Sequence, residues 1–150
     1  MSLEKFGPYG GPGGVAWDDG KTHTGVSKIS LSYKPGEGIG SFTAFYKEDP
    51  TTGIPHPTGD DTYIRVNIKL EEGEVITKVS GYIGVVPGAD TKTEVIRSLT
   101  FTTNENEYTY GTAQGRAFSS RPILTNSLIA GFVGRTSTDF LSAIGIYVSS

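Results

Sequence analysis

Apolar and polar positions alternate with a period of two along several stretches of the chain. Val26-Ser27-Lys28-Ile29-Ser30-Leu31-Ser32-Tyr33 is one such stretch, and Tyr63–Leu70, Ile96–Phe101 and Ala143–Val148 are others. Successive side chains on a strand point to opposite faces, so this pattern predicts strands with one face buried. Helical periodicity is almost missing. Turn-forming clusters separate the alternating stretches: Asp18-Asp19-Gly20, Lys34-Pro35-Gly36, Glu71-Glu72-Gly73 and Thr103-Asn104-Glu105-Asn106. The count comes to roughly ten to twelve strands, which suits a closed or prism-like all-β domain.

A faint internal repeat sharpens this picture. One segment runs from Val26 through Gly36 to Ile39-Gly40-Ser41-Phe42. A second runs from Val75 through Gly84 to Ile96-Arg97-Ser98-Leu99, and a third from Leu128 through Gly134 to Leu141-Ser142-Ala143-Ile144. Their second strands align as apolar, variable, small, apolar. Any two short strand pairs can be aligned this way; if the repeat is structural, it implies three four-stranded sheets around a pseudo-threefold axis.

Composition narrows the function classes. The 150 residues suit one domain spanning 1–150. Glycine is abundant at 21 residues, yet 35% of the chain is hydrophobic, so many short strands joined by tight turns are favoured over disorder. The formal charge is −3 and Lys and Arg are scattered. Nucleic acid needs a positive stripe to displace phosphate counterions, so it is not an expected partner. Neither is an anionic membrane surface, and no apolar run is long enough to span a bilayer. With no cysteine there is no disulfide, thiolate nucleophile or Cys-type metal site. No signal-peptide core follows Met1 and no Asn-x-Ser/Thr acceptor occurs, which fits a cytoplasmic location with non-classical release left open.

The most specific stretch is residues 7–20, Gly-Pro-Tyr-Gly-Gly-Pro-Gly-Gly-Val-Ala-Trp-Asp-Asp-Gly. It resembles the opening of a jacalin-related lectin, in which a Gly-Gly-x-Gly-Gly loop precedes an aromatic-Asp-Asp-Gly turn. Gly25–Tyr33, residues 80–84 (Ser-Gly-Tyr-Ile-Gly), 97–103 (Arg-Ser-Leu-Thr-Phe-Thr-Thr), 130–135 (Ala-Gly-Phe-Val-Gly-Arg) and Ala143–Val148 are similar to further family segments, in the same order. The resemblance covers essentially the whole chain. It implies an all-β fold, the β-prism of three four-stranded Greek-key sheets with pseudo-threefold symmetry. It also implies a lectin for mannose- or glucose-type glycans, with glycans or glycoproteins as partners, no cofactor or metal, and assembly as a homodimer or homotetramer.

In the family the sugar sits between the Gly-rich loop and the loop before the last strand. That carries over as a backbone donor at Gly14 facing Thr138, Asp139, Phe140, Leu141 and Ser142. Glycine suits such a loop because it tolerates positive φ and lets a ligand approach the backbone closely. The last loop departs from the family's Gly-x-x-x-Asp: the glycine position is Thr138 and the aspartate position is Ser142. A carboxylate that accepts hydroxyl bonds is thus replaced by a shorter, neutral group. Asp139 or Ser142 is expected to stand in for it, and Phe140 to cover an apolar sugar face. The equivalent positions of the other repeats, Gly40 and Arg97, supply no carboxylate, and the 56–61 loop lacks the Gly-Gly signature.

The remaining chemistry-bearing residues invite simpler readings. Trp17 is expected in the core rather than as a sugar platform. Asp18-Asp19-Gly20 reads as a turn, since two carboxylates and a glycine are too few for calcium. His23 and His56, 33 positions apart in the sequence, read as surface histidines. No Gly-x-Ser-x-Gly elbow occurs and no cleft for paired carboxylates is implied, so an enzyme is not expected. The rival to a lectin is a β-prism that has lost sugar binding and serves as a protein-interaction or oligomerisation module, and the feature that separates the two is the 138–142 loop.

Overall fold

The computed structural model describes residues 2–89 and 92–150. Twelve strands follow one another: β1 (Leu3–Gly10), β2 (Val15–Asp18), β3 (Val26–Lys34), β4 (Gly38–Tyr46), β5 (Asp49–His56), β6 (Ile64–Lys69), β7 (Ile76–Gly84), β8 (Val95–Thr103), β9 (Glu107–Gly111), β10 (Arg116–Ser119), β11 (Leu128–Thr136) and β12 (Leu141–Ser149). They form three four-stranded antiparallel sheets. Sheet 1 has the order β1-β12-β11-β2, sheet 2 β5-β4-β3-β6 and sheet 3 β10-β7-β8-β9. The central hairpins β3–β4, β7–β8 and β11–β12 coincide with the three repeats seen in the sequence, so the expected prism architecture is the observed one.

Each sheet turns its apolar face toward a common axis. Ile29, Ile39 and Phe42 from sheet 2 meet Ile96, Leu99 and Phe101 from sheet 3 and Phe132, Leu141 and Ile144 from sheet 1 in one buried cluster. At its centre three rings, one per sheet, pack together. Phe42 lies 4.9 Å from Phe132 and 6.4 Å from Phe101, and Phe101 lies 6.4 Å from Phe132. Such aromatic pairs add about 0.5–1.5 kcal/mol each beyond their burial.

A polar bolt joins sheets 1 and 2. Asp19, just past β2, has a fully buried side chain that accepts bonds from His56 Nε2 and Tyr46 Oη, both at 2.6 Å. Tyr46 Oη in turn accepts the Phe132 N–H at 3.0 Å. His23 donates one ring nitrogen to the Glu48 carboxylate and the other to the Asp19 carbonyl, and it stacks on Tyr46 at 3.7 Å between ring centroids. His56 stacks on Trp17 at 3.6 Å, and Trp17 packs against the main core as expected. The surface reading of the histidines is therefore corrected, and so is the reading of Asp19 as a mere turn residue. Both rings are mostly covered and hydrogen-bonded, as buried polar groups require; apart from the Asp19 carbonyl, four positions from His23, these partners lie tens of residues away in the chain.

The bolt sets a pH dependence. Burial alone lowers His23, but the bonds to Glu48 and the Asp19 carbonyl outweigh it and hold the imidazole above its ordinary 6.5. Burial raises Glu48, but its bonds from His23 and Thr24 prevail and bring it to about 2. A histidine held up in the folded state contributes stability fully present below its unfolded value and lost as pH rises through the folded one. A glutamate held down contributes stability present above 4.5 and lost as pH falls toward about 2. The melting temperature is thus expected to peak between these limits, near mildly acidic pH. Because Glu48 is partly exposed, the fall between pH 6 and 8 should be small, roughly 2 °C. Calorimetry of His23→Gln checks this, since that variant should lose the alkaline fall.

Candidate functional site

The end of the prism where β3, β7 and β11 finish carries a cavity of about 520 Å3. One wall is Gly13 and Gly14 from the β1–β2 loop, with Ser137–Phe140 and Ser142 from the β11–β12 hairpin. The other is Lys34, Glu37, Asp60 and Tyr63 from sheet 2, and Val86, Thr93 and Val95 of sheet 3 close the side. A hollow of about 460 Å3 lies at the opposite end, between the starts of β3, β7 and β11, and none of the residues marked in the sequence lines it.

The Gly-rich loop crosses the start of β12 at very short range. Gly11 N donates to Ser142 O at 2.9 Å. Gly10 and Gly14 have φ of +137° and +74°. A side chain at Gly14 would overlap the Thr136 carbonyl and lie 2.7 Å from Ser137 N. Glycine is thus required here by both conformation and space. Arg135 on β11 fixes the loop, donating Nε to Gly13 O at 3.0 Å and Nη2 to Gly14 O at 2.8 Å.

The facing hairpin has its carbonyls consumed internally. Thr58 Oγ1 shares its one proton between Ser137 O at 2.6 Å and Thr138 O at 2.7 Å, Gly59 N donates to Thr138 O at 3.2 Å, Tyr63 Oη donates to Asp139 O at 2.9 Å, and Ser137 N donates to Phe140 O at 2.9 Å. The N–H groups of Gly14, Thr138, Asp139 and Phe140 find no backbone acceptor among the described residues. The loop therefore presents donors and keeps its acceptors occupied. Ser142 lines the same cavity with 0% exposure, and its Oγ has no hydrogen-bond partner among the described residues. A buried hydroxyl left unpaired costs about 1–3 kcal/mol, so a ligand that pairs with it gains that much.

The structure divides the sequence-marked residues. Gly14, Thr138, Asp139, Phe140 and Ser142 all line the cavity. Leu141 has 0% exposure and its side chain belongs to the main core. Phe140, 8% exposed, packs with Tyr63, Val86 and Val95 in a small apolar cluster, so little of its ring is open to a ligand. The sheet 2 wall of Lys34, Glu37, Asp60 and Tyr63 was missed, since only the tertiary fold brings it there.

Also missed was a second copy of the Gly-rich loop. Gly111–Gly115, between β9 and β10, retraces Gly10–Gly14. Thr112 N donates to Arg97 O at 2.9 Å, as Gly11 N does to Ser142 O. Gly111 and Gly115 have φ of +100° and +109°. A side chain at Gly115 would overlap the Ile83 carbonyl, the counterpart of Thr136. Here Arg97 stands where Ser142 stands in the first copy. It is buried and donates to the carbonyls of Gly36, Glu37 and Val85. Arg116 and Glu94 also join across this copy, at 2.9 and 3.2 Å. The protein's own groups fill it.

The sequence profile of the jacalin-like lectin domain matches residues 6–147. The chain belongs to the jacalin-like lectin family. The agglutinin alpha chain of Artocarpus integer is 41% identical over 125 residues, covering 81% of this chain and 89% of that protein. A galactose-specific lectin of Morus indica is 37% identical, covering 91% and 84%. Among solved structures, a mannose-specific jacalin-related lectin from Morus nigra in complex with mannose superposes with a TM-score of 0.88 at 42% identity, covering 100% of this chain and 96% of that one. In this lectin fold the cavity lies between the Gly-rich loop and the β11–β12 hairpin.

Proposed function

We propose that the protein is a carbohydrate-binding lectin that takes mannose- or glucose-type glycans in the 520 Å3 cavity. The observation that carries this reading is the Ser142 hydroxyl, buried and unpaired beside a row of free backbone N–H groups. A hexose ring matches that arrangement, because each hydroxyl both donates and accepts. Gly14 N and the N–H groups of residues 138–140 would hold sugar oxygens, while Ser142 and the Asp139 carboxylate would take hydroxyl protons. The mannose complex of the Morus nigra relative supports mannose over galactose, although a galactose-specific relative also exists. A glycan array with the purified protein, followed by calorimetry on the best ligand, tests the reading. Retention of mannose- or glucose-terminated glycans is the expected result.

A second reading is favoured by one residue. Serine at position 142 removes the family's charge-assisted acceptor, and a prism without it would serve as an interaction or oligomerisation module. A silent array would decide for that reading. We also propose a cytoplasmic location, with non-classical release left open, and assembly as a homodimer or homotetramer, the latter testable by light scattering. Binding needs no metal in this proposal: among the described residues no group of three or more His, Asp or Glu side chains is arranged to hold an ion. Addition of chelator should leave both the melting temperature and the glycan retention unchanged, and a drop of several degrees would contradict this.

A further inference from the structure

The two walls of the cavity differ in polarity. Sheet 1 presents N–H donors, and the loop carbonyls beside them are already bonded. Sheet 2 presents Glu37 and Asp60, and Asp139 adds a third carboxylate from the β11–β12 hairpin of the first wall. Lys34 Nζ lies 3.3 Å from Glu37 Oε2 and compensates that carboxylate. Asp60 and Asp139 have no cation within ion-pair distance among the described residues. Asp60 keeps its turn through Oδ1, which accepts Thr62 N at 2.8 Å. All three carboxylates line one cavity with Tyr63, whose phenol is pushed up to about 12, first by burial and then by Asp139, Glu37 and Asp60. The unpaired, buried Ser142 hydroxyl in the same cavity marks it as a place for a ligand.

We propose that this site selects saccharides by charge, favouring ammonium-bearing amino sugars, accepting neutral sugars and rejecting carboxylate-bearing ones, with Asp60 and Asp139 as the selecting residues. The proposal rests on the carbohydrate-binding reading. A ligand charge inside a cavity of this size lies within about a Debye length of both carboxylates at physiological salt. Lys34 offsets part of the Asp60 charge from the same wall, and at such range the two carboxylates act on a ligand in the same direction and add. Removing either carboxylate should weaken the effect, and removing both should erase it.

A matched set of probes tests this: methyl α-mannoside, its 6-amino-6-deoxy analogue and its uronic acid, which differ only in the charge at C6. Affinities would be measured by calorimetry or NMR titration at pH 7, with salt at about 0.01 M and about 1 M, where the Debye length changes from about 30 Å to 3 Å. The ammonium form should bind roughly tenfold or more tightly than the uronate at low salt, and the two should converge at high salt. In the double variant Asp60→Asn, Asp139→Asn the ratio should fall to near one at both salts. Asparagine still accepts Thr62 N–H, so the turn is kept. Equal binding of the two charged sugars by the wild type, or a preference for the uronate, overturns the proposal. So does a preference that survives in the folded double variant. If the double variant fails to fold, a wild-type preference independent of salt overturns it instead. A wild type that binds none of the three probes and is silent on an array brings down the lectin reading itself, and charge selection with it.

Discussion

Gly14→Val is expected to abolish sugar binding, with the three-sheet fold retained. Gly14 has φ of +74°, a region that costs a non-glycine residue about 1–3 kcal/mol, and a β-branched one most of all. The new Cβ would also overlap the Thr136 carbonyl at the end of β11. The loop must therefore leave its seat, breaking the Arg135 bonds to Gly13 O and Gly14 O. The donor that faces residues 138–140 goes with it. The core is untouched, because Phe42, Phe101 and Phe132 lie deep between the sheets. We expect a loss of affinity beyond a hundredfold and a fall in melting temperature of roughly 5–10 °C, with an unchanged β-type circular dichroism spectrum. Gly13→Ala is the companion. Its Cβ meets Thr93 Cγ2 at 3.1 Å and stands 3.8 Å from Ser142 Oγ, so it needs only a shift of the Thr93 side chain by a few tenths of an ångström and intrudes on the cavity instead. That variant should weaken binding with little loss of stability. Full-strength binding by Gly14→Val would show that the Gly-rich loop does not hold the sugar.

Most of the architecture was legible because it is written locally. Alternation in 26–33 marks a strand that buries Ile29 and Leu31 toward the core, whereas 143–148, expected to bury one face, is a strand buried on both, with Ala143 and Tyr147 covered as well as Ile144 and Ile146. The turn signal Lys34-Pro35-Gly36 falls at the β3–β4 hairpin, and Asp18-Asp19-Gly20 falls where the chain leaves β2 for the crossover from sheet 1 to sheet 2. What escaped was long-range or conformational. The partners of the His23–Glu48 and His56–Asp19 pairs are 25 and 37 positions apart, and nothing in the local sequence links them. Gly111-Thr112-Ala113-Gln114-Gly115 lacks the paired glycines that made Gly10–Gly14 conspicuous. Its kinship lies in two positive φ angles and one hydrogen bond. The candidate site was half legible for the same reason. The Gly-rich and 138–142 loops are consecutive stretches, whereas Lys34, Glu37, Asp60 and Tyr63 join them only through packing of sheet 2 against sheet 1. Leu141 shows the limit of reading a loop as a unit: strand alternation resumes there and turns it inward while Ser142 faces the cavity.

Ser142→Asp should trade stability of the free protein for affinity. The position is fully buried and its present hydroxyl has no partner among the described residues, so a carboxylate placed there in the unliganded protein loses hydration. A loss of roughly 1–3 kcal/mol is expected, or a melting temperature lower by about 5 °C. A bound hexose reverses the balance. Its hydroxyls donate to the carboxylate, and such charge-assisted bonds are about twice as strong as those to a neutral oxygen. Affinity for mannose-like sugars should rise about tenfold, and saturating sugar should restore more stability to the variant than to the wild type. Ser142→Asn separates charge from shape, since the amide is isosteric and neutral; it should show the smaller loss of stability and little gain in affinity. The measurements are calorimetric titration with methyl α-mannoside and melting curves with and without sugar, for all three proteins. A folded Ser142→Asp protein that still binds no sugar, together with a wild type silent on the array, would leave the cavity without a carbohydrate role and pass the site to the interaction-module reading.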